Sequence, residues 1–159
     1  MSMRFWTVTG YGVNIEVIDT VDINDKLVFI KKYLPDVYDT LRCNVLFQYG
    51  RWLLDGTNTS EYIDYCNQWI ADYENAYAAK GFGAIFADAM DINEPNFNVE
   101  CCSGDEGGAV MYVACFPWEM TVREKQMTRE DMEDVFMKYL NDLGISENVC
   151  DRQSIKFYG

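Results

Sequence analysis

The chain contains no histidine. Histidine-containing zinc sites and Ser–His or Cys–His nucleophilic pairs are therefore excluded. No two of the six cysteines, Cys43, Cys66, Cys101, Cys102, Cys115 and Cys150, are spaced C-x-x-C, so an all-cysteine zinc site lacks its expected spacing. Long apolar runs are missing as well. No stretch approaches the roughly 20 apolar residues of a membrane span. The first nine residues hold one charge and none of the apolar run that marks a secretory segment. The expectation is a cytoplasmic protein with reduced thiols, in which the triplet Asn58-Thr59-Ser60 carries no glycosylation meaning.

Basic residues are scarce, and the scarcity is local. Residues 52–122 hold twelve acids against the single base Lys80, a balance of −11 out of the net −13. Such a block repels nucleic acid and favours a basic partner, although acidity also serves solubility alone. Disorder is not implied, because 49% of the residues are apolar and 15% aromatic. A length of 159 residues is about one domain and can bury a core without staples. Residues 1–159 are expected to form a single domain.

The pattern of elements predicts an α+β fold, with an antiparallel or mixed sheet and helices packed on it. Residues 4–17 alternate like a strand, with Gly10 and Gly12 allowing a bend. Asp22 or Asn24 caps a helix carrying Leu27, Ile30 and Leu34, which Pro35 ends or restarts. Residues 36–43 suit a second short helix, and Val45, Phe47 and Tyr49 alternate like a strand within 44–54. A helix is expected over 59–79, with Asn58 and Glu61 as a capping-box pair and Gly81 as terminator. Residues 82–90 read as a buried strand. Residues 96–102 and 109–117 read as a hairpin around 103–108, its second strand central because it is nearly all apolar. Thr128 caps a helix over 129–143 that Gly144 ends, and 153–158 supply an edge strand. The 59–79 and 129–143 helices are expected to cover one face of the sheet.

One internal echo stands out. Gly10-Tyr11-Gly12 precedes Asp22-Ile23-Asn24, and Gly81-Phe82-Gly83 precedes Asp91-Ile92-Asn93. A duplicated unit and chance both account for it. Neither Gly-x-Gly is a dinucleotide fingerprint, for the third glycine is absent. The Asp-Ile-Asn segments suit capping and turns better than a hard cation, since no EF-hand loop surrounds them. Gly104-Asp105-Glu106-Gly107-Gly108 is too acidic to cradle phosphate and reads as a hairpin turn. Asp88, Asp91, Glu94 and Glu100 are candidates for paired-carboxylate chemistry, but nothing in the sequence selects a pair.

On the 59–79 helix, Glu61, Asp64, Gln68 and Asp72 share a ridge opposite Ile63, Cys66, Ile70, Tyr73 and Tyr77. Asp55 precedes it, and Glu94, Glu100, Asp105, Glu106 and Glu119 belong to neighbouring elements. Joined, these acids make a negative field bordered by aromatics such as Tyr62, Tyr65 or Trp69, able to stand where phosphates sit in a basic groove. An ordinary solvated helix face is the alternative. In size, acidity and plain architecture the chain resembles phage-encoded inhibitors of host nucleases, including anti-CRISPR proteins and DNA mimics. The likeness rests on the 52–122 block and the Glu61/Asp64/Asp72 ridge, is one of class rather than motif, and transfers no residue's role.

The resemblance implies a non-enzymatic inhibitor, acting in the bacterial host cytoplasm if phage-encoded, that binds the basic groove of a nucleic-acid-binding nuclease, a CRISPR effector above all. Its partner-binding residues would be Asp55, Glu61, Asp64, Asp72, Glu94, Glu100, Asp105 and Glu106, with no catalytic residue, metal or cofactor, no direct nucleic-acid contact and no membrane contact. An immunity or antitoxin protein that neutralises a basic toxin is an alternative. A carboxylate-based or cation-dependent enzyme is another. The lack of an export signal and the adequate core together predict that no disulfide supports the fold. Thermal melts with and without reductant should nearly coincide, and a large loss of melting temperature under reductant would contradict the reduced-compartment reading.

Overall fold

In the computed structural model, which describes residues 5–50, 59–76, 79–104, 107–113 and 120–158, one long strand organises the sheet. β1 (Phe5–Asn14) has two antiparallel partners. It runs beside β4 (Asp151–Tyr158), from Phe5 opposite Tyr158 to Gly12 opposite Asp151. Its C-terminal half runs beside β3 (Gly107–Val113), from Gly10 opposite Val113 to Asn14 opposite Ala109. β2 (Val99–Gly104) returns along the outer side of β3 as the expected hairpin. The order is β2-β3-β1-β4, antiparallel throughout. The α+β class therefore holds. β3 lies inside the sheet and β4 at its edge, as their compositions predicted; residues 114–117 of the expected central strand lie outside the described residues. The two edge strands approach each other, so the sheet curls.

The described residues include seven helices: α1 (Ile15–Asp19), α2 (Ile23–Tyr33), α3 (Pro35–Tyr49), α4 (Ser60–Asp72), α5 (Phe82–Asn93), α6 (Val122–Gln126) and α7 (Arg129–Asp142). Several ends follow the expected chemistry. Asp22 caps α2 by accepting the Asn24 N–H, and Thr128 with Asp131 forms a capping box on α7. Gly144 ends α7 with φ 82°, a conformation glycine adopts without strain.

Four expectations are corrected. Residues 82–90 form α5, not a strand. An apolar run has no periodicity to distinguish a buried strand from a buried helix, and here the alanines at 84, 87 and 89 suit the helix. Residues 15–17 turn into α1 instead of continuing β1. The alternation at 45–49 lies in α3, which runs unbroken to Tyr49. α4 stops at Asp72, Thr59 is its cap, and Gly81 opens α5 with φ 85° rather than closing α4. Consequently α1, α5 and α7 pack on the sheet, whereas α4 packs on α2 and α3. The paired echoes also separate: Gly10-Tyr11-Gly12 is strand and Gly81-Phe82-Gly83 opens a helix.

The main core is aromatic. Phe29 of α2 stacks on Phe86 of α5, ring centroids 5.5 Å apart and planes within 6°. Phe82, Tyr33 and Tyr139 close around this pair with tilted and edge contacts. A smaller core joins Leu41 and Val45 of α3 to Tyr62 and Cys66 of α4.

One buried carboxylate ties the last helices to α5. Glu94, just past the end of α5, receives Lys138 Nζ at 3.1 Å and the Tyr139 hydroxyl at 2.9 Å on one oxygen, and Arg123 at 3.0 Å on the other. It is thus buried and occupied internally, where its sequence position suggested an exposed acid. Burial pushes its pKa up, but the hydrogen bonds from Lys138, Arg123 and Tyr139 outweigh this and hold it below the usual range. A depressed carboxyl contributes stability above its unfolded pKa and loses it as pH falls through the folded one. Glu94→Gln should therefore cost about 1.5–3 kcal/mol near neutral pH. The deficit should shrink as the parent is titrated below pH ~4. Urea unfolding at both pH values measures it, and an equal deficit at each would contradict the charge-based account.

Candidate functional site

The α4 ridge is built as its periodicity predicts. Tyr62, Cys66 and Ile70 turn inward against α2 and α3, which leaves Glu61, Asp64 and Asp72 exposed on the opposite side. α4 contains no basic residue. Gln68 bridges along the ridge, its amide donating to both oxygens of Asp72 at 3.1 Å. The expected bordering aromatics divide. Tyr62 is buried, so it belongs to the core, whereas Tyr65 and Trp69 are half-buried. Tyr65 meets Tyr49 of α3 edge-on at 5.3 Å, which brings the end of α3 alongside the ridge.

Beyond Asp72 the chain turns toward α5. The Tyr73 hydroxyl donates to Asp88 at 2.7 Å and the Asn75 amide donates to the same carboxylate at 3.3 Å. Glu74 and Lys80 bracket this turn with a 4.0 Å pair. One turn along α5, Asp91 accepts the Val99 N–H at 3.3 Å, pinning the entry of β2, and the exposed Glu100 follows. The structure therefore brings Asp88, Asp91 and Glu100 together where α5 meets β2, and Tyr73, the residue after Asp72, reaches Asp88. Asp55, Asp105, Glu106 and Glu119 lie outside the described residues.

The acids bear on one another at Asp91. Asp91 is an exposed residue, but partial desolvation of its carboxyl, with repulsion from Asp88 and Glu100, outweighs the Val99 hydrogen bond and pushes its pKa up to about 6. That makes Asp91 a carboxyl that changes charge near neutrality, a property the sequence showed only as two acids three apart at the end of an expected strand. Three thiols are unsuited to nucleophilic work. Burial pushes Cys101 and Cys150 up to about 12 and Cys102 up to about 11, far from the thiolate range. Lys26 is buried, donates to the Asp19 carbonyl at 2.7 Å and lies over the Phe82 ring, so it serves the fold.

The described residues hold no helix long and apolar enough to cross a membrane, and no group of three or more potential ligands able to hold a metal ion. Neither a protein-family model, nor a curated protein, nor a solved structure matches the chain.

The sign of the Asp91 effect is opposite to that of Glu94. A carboxyl raised in the folded state contributes stability fully present below its unfolded pKa, about 3.9, and lost as pH rises through about 6. The parent should lose melting temperature between pH 5 and 7 on this account. Asp91→Asn keeps the acceptor for Val99 and removes the charge, so it should flatten that slope and raise the melting temperature at pH 7.5. Parallel slopes for parent and variant would contradict the assignment.

Proposed function

We propose that this chain is a non-enzymatic inhibitor that binds the basic nucleic-acid groove of another protein, with a CRISPR effector nuclease as the foremost target class. The observation that carries this reading is the α4 ridge, where Glu61, Asp64 and Asp72 stand exposed on a rigid helix with no base among them. A second group of acids, Asp88, Asp91 and Glu100, stands where α5 meets β2. Spaced carboxylates on a rigid scaffold complement a groove shaped for phosphates, and their field speeds encounter. The same surface suits neutralisation of a basic toxin. The competing enzymatic reading draws on Asp91 alone, a carboxyl poised near neutrality beside Asp88 and Glu100.

A single exposed ion pair is worth roughly 0–1 kcal/mol, so one substitution on the ridge should do little. The variant Glu61→Lys/Asp64→Lys/Asp72→Lys should fold as the parent does and lose most of its inhibition, mainly through slower association at low salt. The measurement is DNA cleavage by a panel of guide-loaded CRISPR effector nucleases, with a basic RNase toxin as a separate arm, titrated with parent and variant. Higher ionic strength should weaken the parent in the same direction, because screening acts beyond about 8 Å at physiological salt. Inhibition by the triple variant equal to the parent's at low salt would reduce the ridge to a solvated face, and inhibition confined to the toxin arm would replace the nuclease reading with the immunity one.

A further inference from the structure

The outer edge of β2 is closed at its entry by one side chain. Val99 stands opposite Tyr112 of β3, yet its N–H is donated to Asp91 Oδ1 of α5 at 3.3 Å. In an antiparallel ladder, successive residues turn their backbone groups alternately toward and away from a given neighbour. Val99 therefore turns its pair outward, Glu100 turns its pair to Met111, and Cys101 turns outward again. β2 is an edge strand, so Asp91 supplies the acceptor that a further strand would otherwise supply. The Phe97 and Val99 side chains lie in the core, so the strand stays anchored whether or not this donor is held.

The acceptor is crowded by like charge. Asp88 lies one turn back on α5 and Glu100 follows Val99 on β2, and both repel an ionised Asp91. The other groups around the junction bring it no cation. Tyr73 and Asn75 donate to Asp88. Cys101 is a neutral thiol, pushed up to about 12. Lys80, on the turn beyond Tyr73, is exposed and pairs with Glu74, and Arg123 and Lys138 are engaged by Glu94. Asp91 is an exposed residue, so a change of rotamer suffices to carry its carboxyl into water. The Val99 bond favours the charged form in place, but partial desolvation and the two acids outweigh it.

We infer that Asp91 is a pH-dependent latch on the β2 edge: as the neutral acid it holds the Val99 N–H, and as the carboxylate it turns to solvent and leaves that donor free. The direction follows from linkage. The carboxyl has a raised pKa, about 6, while latched, and an ordinary one, about 3.9, once it stands in water. The latched state therefore binds more protons, and rising pH lowers its population. The effect is local, since it frees one edge donor beside Glu100. It stands apart from the inhibitor reading, because it concerns the free chain alone.

Amide hydrogen exchange of the full chain tests this, read residue by residue by NMR at pH 5 and 7.5 and corrected for intrinsic exchange. Protection at Val99 should fall about tenfold between the two. Low urea should leave Val99 exchange unchanged at either pH, because a local opening exposes little surface, whereas the Leu140 amide of α7 should exchange faster. Asp91→Asn keeps an oxygen for Val99 and removes the titration, so its Val99 protection should be the same at both pH values. Glu100→Gln removes one repelling charge and should shrink the fall. Constant protection at Val99 in the parent, an undiminished fall in either variant, or acceleration of Val99 by urea in step with Leu140 would each overturn the inference.

Discussion

Helix α5 has no polar side chain between Phe82 and Ala87, and it can exist only if it is covered on nearly every side. The covering elements are dictated by that demand: the sheet and α1 on one side, α2 on another, with the Phe29–Phe86 stack as the closest aromatic joint. Gly83 lies where α1 comes closest, since a Cβ there would sit 2.9 Å from the Ile15 side chain. Polar groups begin only where the helix reaches the surface. Asp88 and Asp91 meet the neighbouring turn and β2, and Glu94 receives three donors just beyond its end. A burial constraint on one helix thus decides which acids are held inside and which stay on the surface.

Where a segment has one wet face and one dry face, its sequence revealed its structure. The α7 stripe of Phe136, Tyr139, Leu140 and Leu143, its Thr128 cap and its Gly144 stop were all legible, as were the outward acids of α4, the hairpin and the inner position of β3. Segments without that contrast were not. Residues 82–90 are dry on all sides, so neither period could show and the strand expectation failed. Residues 45–49 carry a two-residue alternation that a helix overrides, which is why the exposure of Phe47 was invisible until α3 was seen to continue. The candidate site was legible in the same unequal way. Glu61, Asp64 and Asp72 could be placed from helical spacing alone. Glu94 could not, because its internal role depends on Arg123, Lys138 and Tyr139, which are distant in sequence and meet it only once α6 and α7 fold back.

This division gives the acidity a physical meaning beyond a count. Glu94 is compensated by two bases and a hydroxyl, and Asp142 by Lys32 with the Tyr33 hydroxyl. Those carboxylates belong to the fold. Glu61 and Asp64 have no base on their own helix, and Asp72 is bridged by a neutral amide. Carboxylates held at helical spacing on a packed scaffold keep their mutual repulsion in the free protein, and that repulsion is released when cations are brought against them.

Asp91 carries the electrostatic cost of this arrangement in a form that a partner can relieve. Its carboxyl is pushed up to about 6 by partial desolvation together with Asp88 and Glu100, so near neutrality it is ionised at the expense of the fold. A cationic group placed over the same band would favour its charged form and lower that pKa. Binding would then release a proton near pH 6 and would strengthen as pH rises, while the free chain grows less stable over the same interval. The two trends are opposite because they have one cause: the crowded carboxylates are unfavourable alone and favourable opposite a basic surface. A fold that keeps Glu94 satisfied inside while leaving Asp91 crowded at the surface can tolerate the second because it does not depend on it.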